Sequence, residues 1–164
     1  MEDSMSERTQ ISVFLVNEPG ELAKVCSILG EAEINIEAMS IQNAKDYVME
    51  LLRAREKSGR RVVLAQNYQG ILKESSDFSI IRFLVDQPQK AEHLLAEAKY
   101  PVDTSQVLCV RLDNKPGQLG MVSRKLADAN VNIDYVYGSV EASEGQTVFV
   151  MHVNDFENAR KVLG

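Results

Sequence analysis

Asn17-Glu-Pro-Gly-Glu-Leu22 and Asn114-Lys-Pro-Gly-Gln-Leu119 are one loop written twice. Working outward from them, Ile11–Met39 aligns without a gap on Leu108–Val136 at a constant offset of 97 residues. The identities include Val13/Val110, Leu15/Leu112, Gly20/Gly117, Leu29/Leu126 and Asn35/Asn132. A second stretch, Ser79–Leu95, aligns on Thr147–Leu163 at an offset of 68, anchored by Val85/Val153, Ala91/Ala159 and Leu95/Leu163. The fall in offset from 97 to 68 places 29 extra residues between the two halves of the first repeat, within 42–77. Self-similarity of this kind means one supersecondary unit used twice.

The residues of each repeat alternate between two periods. Ile11–Val16 is β-branched and apolar, which reads as a strand. Asn17–Gly20 is turn chemistry. From Glu21 the apolar spacing becomes helical through Leu22, Val25, Ile28, Leu29 and Ala32. Ile34–Ala38 returns to strand alternation, and Phe78–Val85 is a further strand. Gln89–Lys99 reads as a helix, with Asp86 or Gln87 near its start and Pro88 in its first turn. Val102–Leu112 is long for one strand of a small sheet, so two strands with a bend near Thr104-Ser-Gln106 are expected. The order is β-α-β-β-α-β. Right-handed β-α-β crossovers then put both helices on one face of an antiparallel sheet.

The expected fold class is therefore α+β: two ferredoxin-like βαββαβ modules in tandem, the first carrying the 29-residue insertion. The second repeat stops at Gly164, directly after its second helix, and has no final strand of its own. That leaves a sheet edge to be covered, by the first repeat or by a second copy of the chain. The expected division is a loose tail over 1–9, a first domain over 10–105 with its insertion within 42–77, and a second domain over 106–164. Within the insertion, Lys45–Lys57 has the stripe of an amphipathic helix, Arg61–Ala65 reads as a short strand and Asn67–Gly70 as a turn.

Composition narrows the function. A chain of 164 residues that is 45% hydrophobic has material for packed cores. Its net charge of -6 argues against a phosphate-neutralising grip on nucleic acid. No apolar run is long enough for a membrane span, and the N-terminus has no apolar signal core, so a cytoplasmic location is expected. Cys26 and Cys109 are far apart and are expected in the core rather than in a disulfide or as nucleophiles. His93 and His152 have no companions at ligand spacing, so no metal is expected. No phosphate- or dinucleotide-binding glycine loop is present, and no cofactor is expected. Tyr135 and Tyr137 alternate on a predicted strand as interface or core residues.

In the repeated loop, Asn can cap the helix or bond a ligand, Pro sets the turn, and Gly lets a backbone approach closely. The helix start then offers unpaired N–H groups to a small carboxylate, although a good turn would look the same. Here a resemblance becomes specific. Both repeats resemble ACT domains, the small regulatory modules of amino-acid metabolism. The residues that carry it are Asn17–Leu22 with Ala32–Glu37, and Asn114–Leu119 with Ala129–Asp134. The resemblance implies a non-catalytic regulatory protein that binds an amino acid between paired domains, as a homodimer. The alternative it implies is a regulatory subunit docking onto a biosynthetic enzyme. The ligand residues it implies are Asn17, Pro19, Gly20, Glu21, Leu22, Asn35 and Ile36 in the first repeat. In the second they are Asn114, Pro116, Gly117, Gln118, Leu119, Asn132 and Ile133. Lys115 joins them on charge: Glu18 and Glu21 make the first loop acidic, whereas Lys115 and Gln118 make the second the better carboxylate site.

Overall fold

The computed structural model describes residues 5–44, 77–141 and 145–164. The loop–helix–strand pattern of the repeat appears as six strands and four helices among the described residues. They are β1 (Met5–Val16), α1 (Glu21–Glu31), β2 (Ile36–Asn43), β3 (Phe78–Val85), α2 (Pro88–Glu97) and β4 (Val102–Asp113). Then come α3 (Gln118–Asp128), β5 (Ile133–Glu141), β6 (Gln146–Val153) and α4 (Phe156–Leu163). The readings for Lys45–Lys57, Arg61–Ala65 and Asn67–Gly70 lie outside the described residues, as do Met1–Ser4.

The chain divides into two compact modules. The first is Ile11–Asp103, and the second is Met1–Gln10 together with Thr104–Gly164. In the first, the strand order is β2-β3-β1-β4, with β4 contributing only Val102 and Asp103. In the second it is β1-β4-β6-β5, with β1 contributing its segment up to Gln10. The missing final strand of the second repeat is therefore supplied from in front of the first repeat.

Two expectations are corrected here. Met5–Thr9 are not a loose tail: they form the start of β1. Met5 packs against the second module's core, a partner no local pattern could reveal. Val102–Asp113 is one unbroken strand rather than two bent ones. Its length serves two modules, since its first two residues belong to the first and the rest to the second.

Each module has its own core on the helix side of its sheet. In the first, Ile11, Val13 and Leu15 of β1 and Ile81, Phe83 and Val85 of β3 pack with Val25 and Leu29 of α1 and Ala91 and Leu95 of α2. In the second, Leu108, Val110, Met151 and Val153 pack with Val122, Leu126 and Ala159. Burying each of these larger side chains contributes about 1.5–3 kcal/mol. Both long helices stop in the same way. Glu33 and Asn130 turn left-handed at φ 58° each. The following residues fold back: Ile34 N–H donates to Leu29 O at 2.9 Å, and Val131 N–H to Leu126 O at 2.8 Å. This closes the helix end and drops Ile34 and Val131 into their cores.

Candidate functional site

The two β–α loops follow directly from the strand register. β1 ends at Val16, which pairs with Phe78. Asn17 N–H then donates to Asp77 O at 2.7 Å, and in the second module Asn114 N–H donates to Gly145 O at 2.9 Å. Glu21 N–H and Gln118 N–H donate to Glu18 O and Lys115 O, each at 3.4 Å. Lys24 N–H and Met121 N–H donate to Gly20 O and Gly117 O, each at 3.0 Å. The loops therefore match bond for bond.

The residue in front of each helix is a left-handed glycine, Gly20 at φ 95° and Gly117 at φ 87°. Neither helix has a side-chain cap. That corrects one option for Asn17: it does not cap α1, but accepts from Ser79 Oγ at 3.2 Å through Oδ1. The first turns of α1 and α3 thus begin with backbone amides not occupied by a capping side chain, at the positive end of the helix dipole. Pro19, Gly20, Pro116 and Gly117 are all exposed.

The remaining nominated residues separate into two groups. Leu22 and Leu119 pack on the two cores directly behind the loops, whereas Ile36 and Ile133 pack on the same cores at the opposite end of each sheet, where they pair with Val85 and Val153. Asn35 and Asn132 are brackets. Asn35 N–H donates to Asp86 Oδ1 at 2.9 Å, and Asp86 N–H donates back to Asn35 O at 3.2 Å. Asn132 N–H donates to Asn154 Oδ1 at 2.9 Å, and Asn154 N–H returns to Asn132 O at 3.1 Å. These bonds run to the end of the neighbouring strand rather than to the loops. Asp86 was read only as a residue near a helix start and Asn154 was not singled out, yet the two coincide at the offset of 68 that aligns the second halves. Ser79 was also missed, and it is buried beside Asn17.

Charge differs between the loops. Glu21 forms an ion pair with Lys24 on α1 and, by that hydrogen bond first, holds the ammonium above its ordinary range. Lys115 Nζ reaches Asp113 Oδ2 at 2.9 Å, so its charge already has a carboxylate beside it. That pair is exposed and correspondingly weak. Met121, 56% exposed, stands where the first loop has Lys24.

The other candidates fall away from these loops. Cys26 is half-buried and Cys109 buried. His93 lies beside Glu97 on the surface of α2. His152 pairs with Asp134 at 2.9 Å and stacks on Tyr135 with ring centroids 5.0 Å apart. Among the described residues, no group of three or more histidine, cysteine or acidic side chains is placed to hold a metal ion. Among the same residues, no helix is long and apolar enough to cross a membrane.

Comparison with known proteins gives the same architecture. The model for an ACT domain pair matches residues 62–163, and that for an ACT domain matches residues 9–63. A solved structure from Bacteroides thetaiotaomicron is similar over 97% of this chain and 88% of its own, at 24% identity and a TM-score of 0.71. The regulatory subunit of aspartate kinase from Thermus thermophilus is similar over 98% of this chain and 92% of its own, at 16% identity and a TM-score of 0.56. A structure of aspartokinase alpha and beta subunits covers 98% of this chain and 94% of its own, at 14% identity and a TM-score of 0.56. At these identities the likeness is one of fold. No curated protein sequence matches the chain.

Proposed function

The chain belongs to the ACT-domain family, and on that premise we propose that it is a non-catalytic regulator that binds a free amino acid at its two β–α loops. The observation that carries this is the pair of uncapped helix starts, each behind a left-handed glycine in a loop conserved bond for bond between the modules. Backbone N–H groups at a helix start suit a carboxylate, and they do so without requiring a charged side chain. Leu22 and Leu119 anchor the loops to the cores, while the Asn35–Asp86 and Asn132–Asn154 brackets hold the second-strand starts at the far end of each sheet. Ligand pairing between domains would draw two copies of the chain together, so a cytoplasmic homodimer forms part of the proposal. Binding then regulates only through its different affinity for two states of the assembly.

The second loop is proposed as the stronger carboxylate site. Its charges, Asp113 and Lys115, cancel, whereas Glu18 adds to the Glu21–Lys24 pair in the first. Titration calorimetry on Gly20→Asp and Gly117→Asp tests this, with Gly20→Ala and Gly117→Ala as controls for backbone strain. Each aspartate should weaken binding beyond its alanine control, and Gly117→Asp should do so more. Equal losses would remove the asymmetry, and no loss beyond the controls would remove the loops as the site.

One observation favours a second reading, a subunit that docks onto a biosynthetic enzyme. Phe14, Val16 and Phe78 lie on the face of the first module away from its helices and are 39%, 43% and 46% exposed. The equivalent residues of the second module are Arg111, Asp113 and Gln146. Co-purification of a single enzyme with the intact chain, lost in Phe14→Glu, would establish that reading.

A further inference from the structure

We infer that the second module is a receptor for one extended segment carrying a glutamine, and that this seat takes Met5–Gln10 of a second copy of the chain as well as its own. Such exchange involves the second module alone and needs no small ligand. Within that module, Met5–Gln10 lies beside β4, in a place for which the second repeat has no strand. Adding a strand to a sheet edge is a general way of binding an extended peptide: the backbone supplies affinity and alternate side chains supply selectivity.

Two anchors read the segment, one on each face of the sheet. Met5 packs on the helix-side core, which Phe156 and Leu163 of α4 also join. Gln10 is completely buried, and a buried amide is tolerated only when bonded. Its Nε2 donates to the Tyr135 hydroxyl at 2.6 Å and to Ser105 Oγ at 3.4 Å, and its Oε1 accepts from the Tyr137 hydroxyl at 3.0 Å. The two tyrosines pair with His152 and Val150 of β6, which alternate with the core residues Met151 and Val153, so they face away from the helices. Tyr135 is held by its stack on His152, which pairs with Asp134 at 2.9 Å. Glu7 with Arg160 and Thr9 with Gln106 add exposed, weaker ties. A segment slipped by one residue turns Met5 out of the core and withdraws Gln10 from the tyrosines. The seat also distinguishes glutamine from its near neighbours. Glutamate would bury a charge, and a shorter or apolar side chain would take this partner from both hydroxyls.

The occupant follows from where the contacts fall in sequence. Ser105, Tyr135 and Tyr137 lie 95, 125 and 127 residues from Gln10, and Gln106 lies 97 residues from Thr9. Bonds at such separations are the same when another copy makes them, which is the low-cost route to exchange of an identical element. A second copy also carries Met5 and Gln10 at the matching spacing. The first module has no equivalent reading pair: Ala38 and Ser40 stand where the second has Tyr135 and Tyr137.

The test is hydrogen exchange in α3 and α4 of the full chain carrying Met5→Asp and Gln10→Ala, which loses both anchors and keeps the seat. A synthetic peptide of residues 3–12 should slow exchange there about tenfold or more at millimolar concentration, and saturably. The same peptide with Gln10→Glu should need about ten times the concentration. An excess of a full-length donor copy carrying Tyr135→Phe/Tyr137→Phe, its segment intact, should protect the receiver as the peptide does. No protection by the parent peptide, equal protection by the glutamate peptide, or protection by the peptide but not by the donor copy overturns the proposal. Should the double variant not fold, Gln10→Ala alone serves as the receiver. If neither receiver folds, the segment is only a folding element and the proposal is equally overturned.

Discussion

Gly20 and Gly117 hold one backbone conformation 97 residues apart, φ 95° and ψ -17° against φ 87° and ψ -12°. Nothing lies within 4 Å of a Cβ built at either position, so the space around both is open. The requirement for glycine is therefore one of backbone angle alone. Gly20→Ala and Gly117→Ala should each cost about 1–2 kcal/mol, the left-handed penalty of an L-residue. Urea unfolding of the two variants measures this. Changes within a few tenths of a kcal/mol would mean that the loops relax freely.

Glu33 bears the same strain without the compensating freedom, at φ 58°. Glu33→Gly should stabilise the chain by about 0.5–1 kcal/mol, the left-handed penalty less the entropy cost of glycine. At Asn130, which tolerates this conformation better, the same change should gain less. The comparison is a pair of urea midpoints. A larger gain at Asn130 would contradict the reading of the helix ends.

Asp86 acts through its oxygen as an acceptor, not through its charge. Asn154 does the same work in the second module with a neutral amide. Asp86→Asn should be within about 0.5 kcal/mol of the parent, while Asp86→Ala, which strands the Asn35 amide, should cost about 1 kcal/mol. Thermal unfolding of the two variants separates the cases, and equal losses would show that the charge matters.

The strand exchange predicts a distant effect. Deleting residues 2–10 removes the strand beside β4 in the second module. Hydrogen-exchange protection should fall in α3 and α4 while α1 and α2 retain most of theirs. Loss confined to α1 and α2 would show that the N-terminal strand serves the first module.

Much of this fold was legible because duplication leaves a local record. The Asn17 and Asn114 loops, the helix periods and the 29 inserted residues appear when the chain is compared with itself. Proline and glycine at fixed positions located the turns, and the helix starts at Glu21 and Gln118 followed from them. What was not legible depends on pairing between distant segments. Met5–Thr9 lack strand alternation of apolar residues, and their partners lie about a hundred residues downstream. Asn17 was equally able to cap a helix or to meet Ser79, because the choice depends on how β3 registers against β1. The brackets at Asp86 and Asn154 were visible only as a coincidence of position, since exposed acidic and amide residues are ordinary surface chemistry.

The most direct test of the account is a thermal-shift screen of the full chain against the twenty amino acids. The account predicts that at least one of them raises the melting temperature in proportion to the logarithm of its concentration once the site fills. It also predicts that the shift shrinks in Gly117→Asp by more than in Gly117→Ala. A melting temperature unmoved by every amino acid at millimolar concentration would contradict it.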